Sequence, residues 1–103
     1  MKEHTKIYFN AFGYDKDDPT TFIPSEISGK KAVDLHHIVT REDRIENLMY
    51  LTREEHTEYG EIKDAMVYLL RIHRRRLQLA YIPFDDKWFA FYINRYENLV
   101  EDE

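Results

Sequence analysis

Three of the five histidines in this chain, and one asparagine, fall between Asp34 and Gly60, in the stretch DLHHIVTREDRIENLMYLTREEHTEYG. Imidazole is a common metal ligand, and a second imidazole beside it can take a proton from water. From Ala32 to Ile38, Val33 and Leu35 alternate with Asp34 and His36, the period-2 pattern of a strand. A turn around Arg41–Arg44 follows, then a second short strand over Asn47–Leu51, and a helix opens near Thr52 with His56 inside it. Two strands and a helix that converge histidines on one spot make a cradle for a divalent metal. Asp34 and His36 share one face of the strand, and His37 faces the other way in an ideal strand. Both histidines therefore meet at one site only where the strand bends or ends.

The order His36-His37, a short loop, Asn47-Leu48, an apolar strand and then Arg53-Glu54-x-His56 running to Tyr59-Gly60 resembles the HNH (ββα-metal, His-Me finger) endonucleases, in particular small phage and prophage members. The resemblance implies an α+β fold with a ββα-metal core over about 30–60 inside a single domain spanning 1–103. An N-terminal helix and a C-terminal helical extension over about 61–103 flank that core. It implies His36 and His56 as metal ligands, with Asp34 as a candidate to complete the shell. It implies His37 as the general base and Asn47 as the residue that holds the loop and orients that base. The implied activity is metal-dependent hydrolysis of DNA phosphodiesters, with one divalent ion (Mg, Mn, Ni or Zn) as cofactor and DNA as partner. The implied location is the cytoplasm of a bacterial host.

Departures from the family pattern shape the expectation. Close relatives carry two C-x-x-C pairs that bind a structural zinc. Here those pairs would fall at Ser25–Ser28 and Thr52–Glu55, and the chain contains no cysteine. Hydroxyls are poor zinc ligands and one glutamate does not build a tetrahedral site, so no structural zinc is expected. Where some relatives place a further histidine ligand, four residues after His56, this chain has Gly60. These losses motivate an alternative, a catalytically degenerate HNH fold acting as a binding or inhibitory module. Glu54, Glu55 and Glu58 read as a solvated acidic face near the helix N-terminus, and His4 as a residue of a solvated face.

The elements that position these residues can be read around them. Ile7, Tyr8, Ala11 and Phe12 have helical spacing within Lys2–Tyr14, and Gly13 suits a helix C-terminus. From Glu61 to Ile82 an apolar stripe of Ile62, Ala65, Met66, Leu69, Leu70, Ile72, His73 and Leu77 predicts a long helix. Its far half carries Arg71, Arg74, Arg75 and Arg76, whose planar forks suit a nucleic-acid backbone and whose position also suits the helix dipole. His73 fits the core edge or the basic patch. Pro83 breaks the chain, and Asp85-Asp86 can cap a third helix with Trp88, Phe89, Phe91, Tyr92, Tyr96 and Leu99 as its apolar positions. That aromatic helix is core packing or the docking face for a protein partner or a second copy.

Composition bounds the remaining classes. The chain has 103 residues, 43% hydrophobic and 15% aromatic, enough for one packed core. A formal net charge of −5 has the wrong sign for a generic nucleic-acid binder, although the tail from Asp85 onward carries most of the acidity. The absence of cysteine rules out a disulfide framework. No apolar run is long enough for a membrane span, and the start, MKEHTKIYF, lacks the apolar centre of a signal peptide.

Overall fold

The sheet that carries the histidine pair is small, and one of its strands is wholly buried. The computed structural model describes residues 1–60 and 62–101, with 99–101 described by backbone alone. The elements are α1 (Glu3–Phe12), β1 (Asp34–His37), a 3-10 turn (Ile45–Asn47), β2 (Leu48–Leu51), α2 (Arg53–Tyr59), α3 (Lys63–Leu79) and α4 (Asp86–Glu101). Four helices and a two-stranded antiparallel sheet make the class α+β.

The strand expected over Ala32–Ile38 narrows to Asp34–His37, and Asn47 belongs to the 3-10 turn rather than to the second strand. The register pairs Asp34 with Leu51, Leu35 with Tyr50, His36 with Met49 and His37 with Leu48. Directly paired residues share a face, so Asp34, His36, Met49 and Leu51 lie on one side and Leu35, His37, Leu48 and Tyr50 on the other. The burial follows the same division. Met49 and Leu51 pack with Leu69, Leu70, Leu77, Trp88 and Phe89 of α3 and α4. Leu48 and Tyr50 pack with Tyr8 of α1 and with Ala32. All four residues of β2 are buried because a helical layer covers each face.

The helices end where local chemistry ends them. Gly13 closes α1 with φ 75°, a left-handed conformation that glycine adopts without steric cost. Thr52 caps α2 through a capping box with Glu55. The helix expected over Glu61–Ile82 runs Lys63–Leu79; Glu61 lies outside the described residues. It stops in a Schellman turn, with Tyr81 N–H donating to Gln78 O and Ile82 N–H to Leu77 O. The left-handed position of that turn is Tyr81, with φ 57°. Pro83 then prevents continuation, and the Asp85 carboxylate accepts from the N–H groups of Lys87 and Trp88 at the start of α4.

On α3, Ala65, Leu69, Leu70, His73 and Leu77 are buried along one stripe. On α4, Trp88 and Phe89 enter the core, and each side chain of this size contributes about 1.5–3 kcal/mol when fully buried. Phe91 stays 58% exposed, Tyr92 is half-buried against the core, and the side chain of Leu99 lies outside the description. The acidic residues Asp102 and Glu103 also lie outside the described residues. Among the described residues no helix is long and apolar enough to cross a membrane.

His73 is wholly buried rather than at the core edge or in the basic patch. Its Nδ1 lies 2.7 Å from Glu26 Oε1 and its Nε2 2.5 Å from the Ile45 carbonyl. Glu26 also accepts from the Tyr8 hydroxyl at 2.9 Å, so one carboxylate joins α1, α3 and the turn at Ser25–Gly29.

Candidate functional site

β1 ends at His37, and its alternation sends the two adjacent histidines to opposite faces. His36 meets α2. Its ring lies 4.9 Å, centre to centre, from that of His56. His36 is buried, and among the described residues its Nε2 has no hydrogen-bond partner. Burial, with His56 and His37 adding, pushes the His36 imidazole down to about 4, so the ring is neutral near pH 7. A buried, neutral, unpartnered imidazole nitrogen is a suitable metal donor.

His56 is held by Asp34, whose Oδ2 lies 3.1 Å from His56 Nδ1. Asp34 also receives both arms of Arg53, at 2.7 Å and 2.9 Å. The Arg53 hydrogen bond, with His56 assisting against desolvation, holds the Asp34 carboxyl below its ordinary value. An ionised carboxylate only accepts, so His56 carries its proton on Nδ1 and the neutral ring presents Nε2 as the lone-pair nitrogen. This is a carboxylate–histidine arrangement of the kind that orients metal-binding imidazoles. As donor types these residues suit a divalent ion at His36 and His56, with Asp34 as the orienting carboxylate; among the described residues, however, the donor atoms of the expected set His36, His56 and Asp34 do not all lie within 4.8 Å of one another. Gly60 sits against the same ring. A Cβ there would come 2.4 Å from the His56 carbonyl oxygen and 2.7 Å from His56 Cδ2, so a side chain at Gly60 would require both the backbone and the ring of the histidine to shift.

His37 meets α1 and the loop. Its Nε2 lies 2.9 Å from Asp43 Oδ1, and its ring packs edge-on against His4 at 5.0 Å. With Nε2–H donating to Asp43, the neutral ring keeps its lone pair on Nδ1. The loop that supplies Asp43 is pinned by the buried amide of Asn47. Oδ1 accepts from Val39 N–H at 3.0 Å and Thr40 N–H at 3.4 Å, and Nδ2 donates to Thr40 O at 2.8 Å and Glu42 O at 3.0 Å.

Ser25, Ser28, Thr52 and Glu55 converge in space. Ser25 Oγ donates to Glu55 Oε1 at 2.5 Å, and the same oxygen accepts from Thr52 N–H at 2.8 Å. Thr52 Oγ1 accepts from Glu55 N–H, and Ser25 Oγ accepts from the N–H of Ser28. Glu55 is thus a structural acceptor and not part of a solvated acidic face. Burial opposes its charge, but the hydroxyls of Ser25 and Ser28 and the Thr52 amide carry the carboxyl below its ordinary value.

Three of the four arginines of α3, Arg71, Arg74 and Arg76, have partners within the chain, and Arg75 is exposed. Arg71 pairs with Glu97 and Arg74 with Asp86, both on α4. The Arg76 guanidinium stacks 5.1 Å above the Phe12 ring. Arg71, Arg75 and Arg76 line a groove of about 420 Å³ with Tyr68, Ile72 and Leu79. Acidic residues of α4 therefore offset much of the charge that the sequence of α3 displays.

Sequence reasoning missed Asp43, Arg53 and the role of His4. Asp43 and His4 carry no local signal, since their meeting with His37 is set by tertiary packing. Thr52-x-x-Glu55 is a capping-box signature that gives Glu55 a structural role without a metal. Comparison of the chain with family models, with curated proteins and with solved structures returns no match.

Proposed function

We propose that this chain is a metal-dependent endonuclease of the HNH type acting on DNA phosphodiesters. The observation that carries the reading is the unpartnered, buried Nε2 of His36 beside a His56 ring locked by Asp34. The pinned loop beside His37 supports it, as does the convergence of Ser25, Ser28, Thr52 and Glu55 where relatives hold a knuckle.

His36 and His56 would hold the ion, and imidazole donors suit Mn, Ni or Zn better than Mg. When bound, a divalent ion supplies Lewis-acid stabilisation of the phosphate and the leaving oxygen. His37 takes a proton from water on Nδ1, while Asp43 fixes the ring and stabilises the imidazolium that forms. Asn47 keeps the loop closed so that Asp43 stays in place. Because the base and the metal ligands lie on opposite faces of β1, the substrate backbone would run around the open edge of that strand. Arg53, 71% exposed at its side chain, stands where it can bind a phosphate.

The test is nicking of supercoiled plasmid in EDTA and in Mg²⁺, Mn²⁺, Ni²⁺ or Zn²⁺, by the parent and by His37→Ala. Metal-dependent nicking that His37→Ala abolishes supports the reading. Folded protein that nicks in no metal supports the second reading, a degenerate fold that binds a partner. The separation of His36 from His37 and the internal pairing of Arg71 and Arg74 favour that second reading.

A further inference from the structure

We propose that His4, His37 and Asp43 form a second cation site, selective for borderline transition metals such as Zn²⁺, Ni²⁺ or Co²⁺. One donor atom from each residue lies within 4.8 Å of the other two. They come from separate elements, α1, β1 and the Asn47-pinned loop, so folding and not local sequence assembles them. Two imidazoles and one carboxylate are a borderline donor set that binds zinc and its neighbours and serves poorly for Ca²⁺ or Mg²⁺, which prefer oxygen shells. Zinc holds nitrogen and oxygen at about 2.0–2.2 Å, so donors on one ion lie at most about 4 Å apart. Asp43 and His37 are already 2.9 Å apart, and the half-buried His4 needs only a side-chain adjustment to close the set. Water completes the tetrahedron from the open side at the exposed Asp43.

This site is separate from the one at His36 and His56, because β1 sends His36 and His37 to opposite faces. An ion here takes a ring nitrogen of His37. On the nuclease reading, on which this consequence alone rests, filling the second site withdraws the general base.

The experiment is Zn²⁺ titration by calorimetry of the metal-stripped parent and of His4→Gln, Asp43→Asn and His56→Gln, each first shown to be folded by circular dichroism. The parent is expected to bind about two ions per chain, and each of the three variants about one. His56→Gln removes one class of site, and His4→Gln and Asp43→Asn remove the other. Histidine ring NMR adds a readout independent of stoichiometry: in His56→Gln, zinc should shift the rings of His4 and His37 together. Binding in His4→Gln and Asp43→Asn indistinguishable from the parent overturns the inference. A single parental site that only His56→Gln removes overturns it while leaving the nuclease reading intact. A single site that only His4→Gln and Asp43→Asn remove supports it and takes away the metal centre of the nuclease reading.

Discussion

Glu26 and His73, 47 positions apart in the chain, meet at 2.7 Å in the interior, with side chains 1% and 0% exposed. Both His73 nitrogens face acceptors, Glu26 and the Ile45 carbonyl, an arrangement that favours the imidazolium. Burial opposes that charge, but Glu26, with the Ile45 carbonyl and Glu46 assisting, raises the His73 value above the ordinary 6.5. Removing the imidazole by His73→Leu leaves Glu26 buried without its partner cation and should cost about 3–5 kcal/mol. The pair's contribution is full below the unfolded value and fades as pH rises through the higher folded one. Urea midpoints of the parent should therefore fall as pH rises above the ordinary 6.5, more steeply than in a Glu26→Gln variant. Parallel pH profiles for the two proteins would refute this account.

Tyr81 closes α3 in a left-handed conformation, φ 57°, with its side chain 94% exposed. Glycine there would remove the Cβ clash and lose almost no packing. Tyr81→Gly should raise stability by about 1 kcal/mol, read as a higher melting temperature. A lower melting temperature would show that the ring contributes something its exposure conceals.

Ser25, Ser28, Thr52 and Glu55 form a hydrogen-bonded knot, which the nuclease reading takes as the position of a knuckle. Replacing all four with cysteine should create a tetrahedral thiolate site. The readout is Co²⁺ charge-transfer absorption that the parent lacks, together with stability that depends on zinc. A folded quadruple variant with no such absorption would mean that the four positions do not form a knuckle.

Asp34 orients His56 through Nδ1, and Gly60 leaves room for the ring. Asp34→Asn should lower metal affinity at His36 and His56 by about 10–100-fold, the usual effect of losing an orienting carboxylate. Gly60→Ala should act in the same direction by displacing the His56 carbonyl and ring. Calorimetry in a His4→Gln background reads that site alone. Unchanged affinity in both variants would separate His56 from metal binding.

Legibility in the sequence followed the range of the forces involved. Gly13, the Thr52-x-x-Glu55 box, Pro83 and Asp85 act within a turn of themselves, and each marks the element boundary it signals. The alternation around Leu35 and His36 likewise shows the strand and its two faces. What depended on distant packing was not legible. His4 reads as solvated until α1 is laid on the sheet against His37. His73 reads as peripheral until Glu26 arrives from the turn before β1. Arg71 and Arg74 read as a basic surface until Glu97 and Asp86 of α4 come alongside them.

The burial of every residue of β2 makes the sheet a parity code. Odd and even positions answer to different helices, so with β2 held in place by its two clusters a slip of one residue between the strands would turn β1 over and offer Leu35 to the wrong face. It would also hand His36 to α1 and His37 to α2. The hydrophobic core thus acts as the clerk that assigns two chemically identical neighbours to different tasks, and a mutation far from either histidine that loosened the register would exchange them.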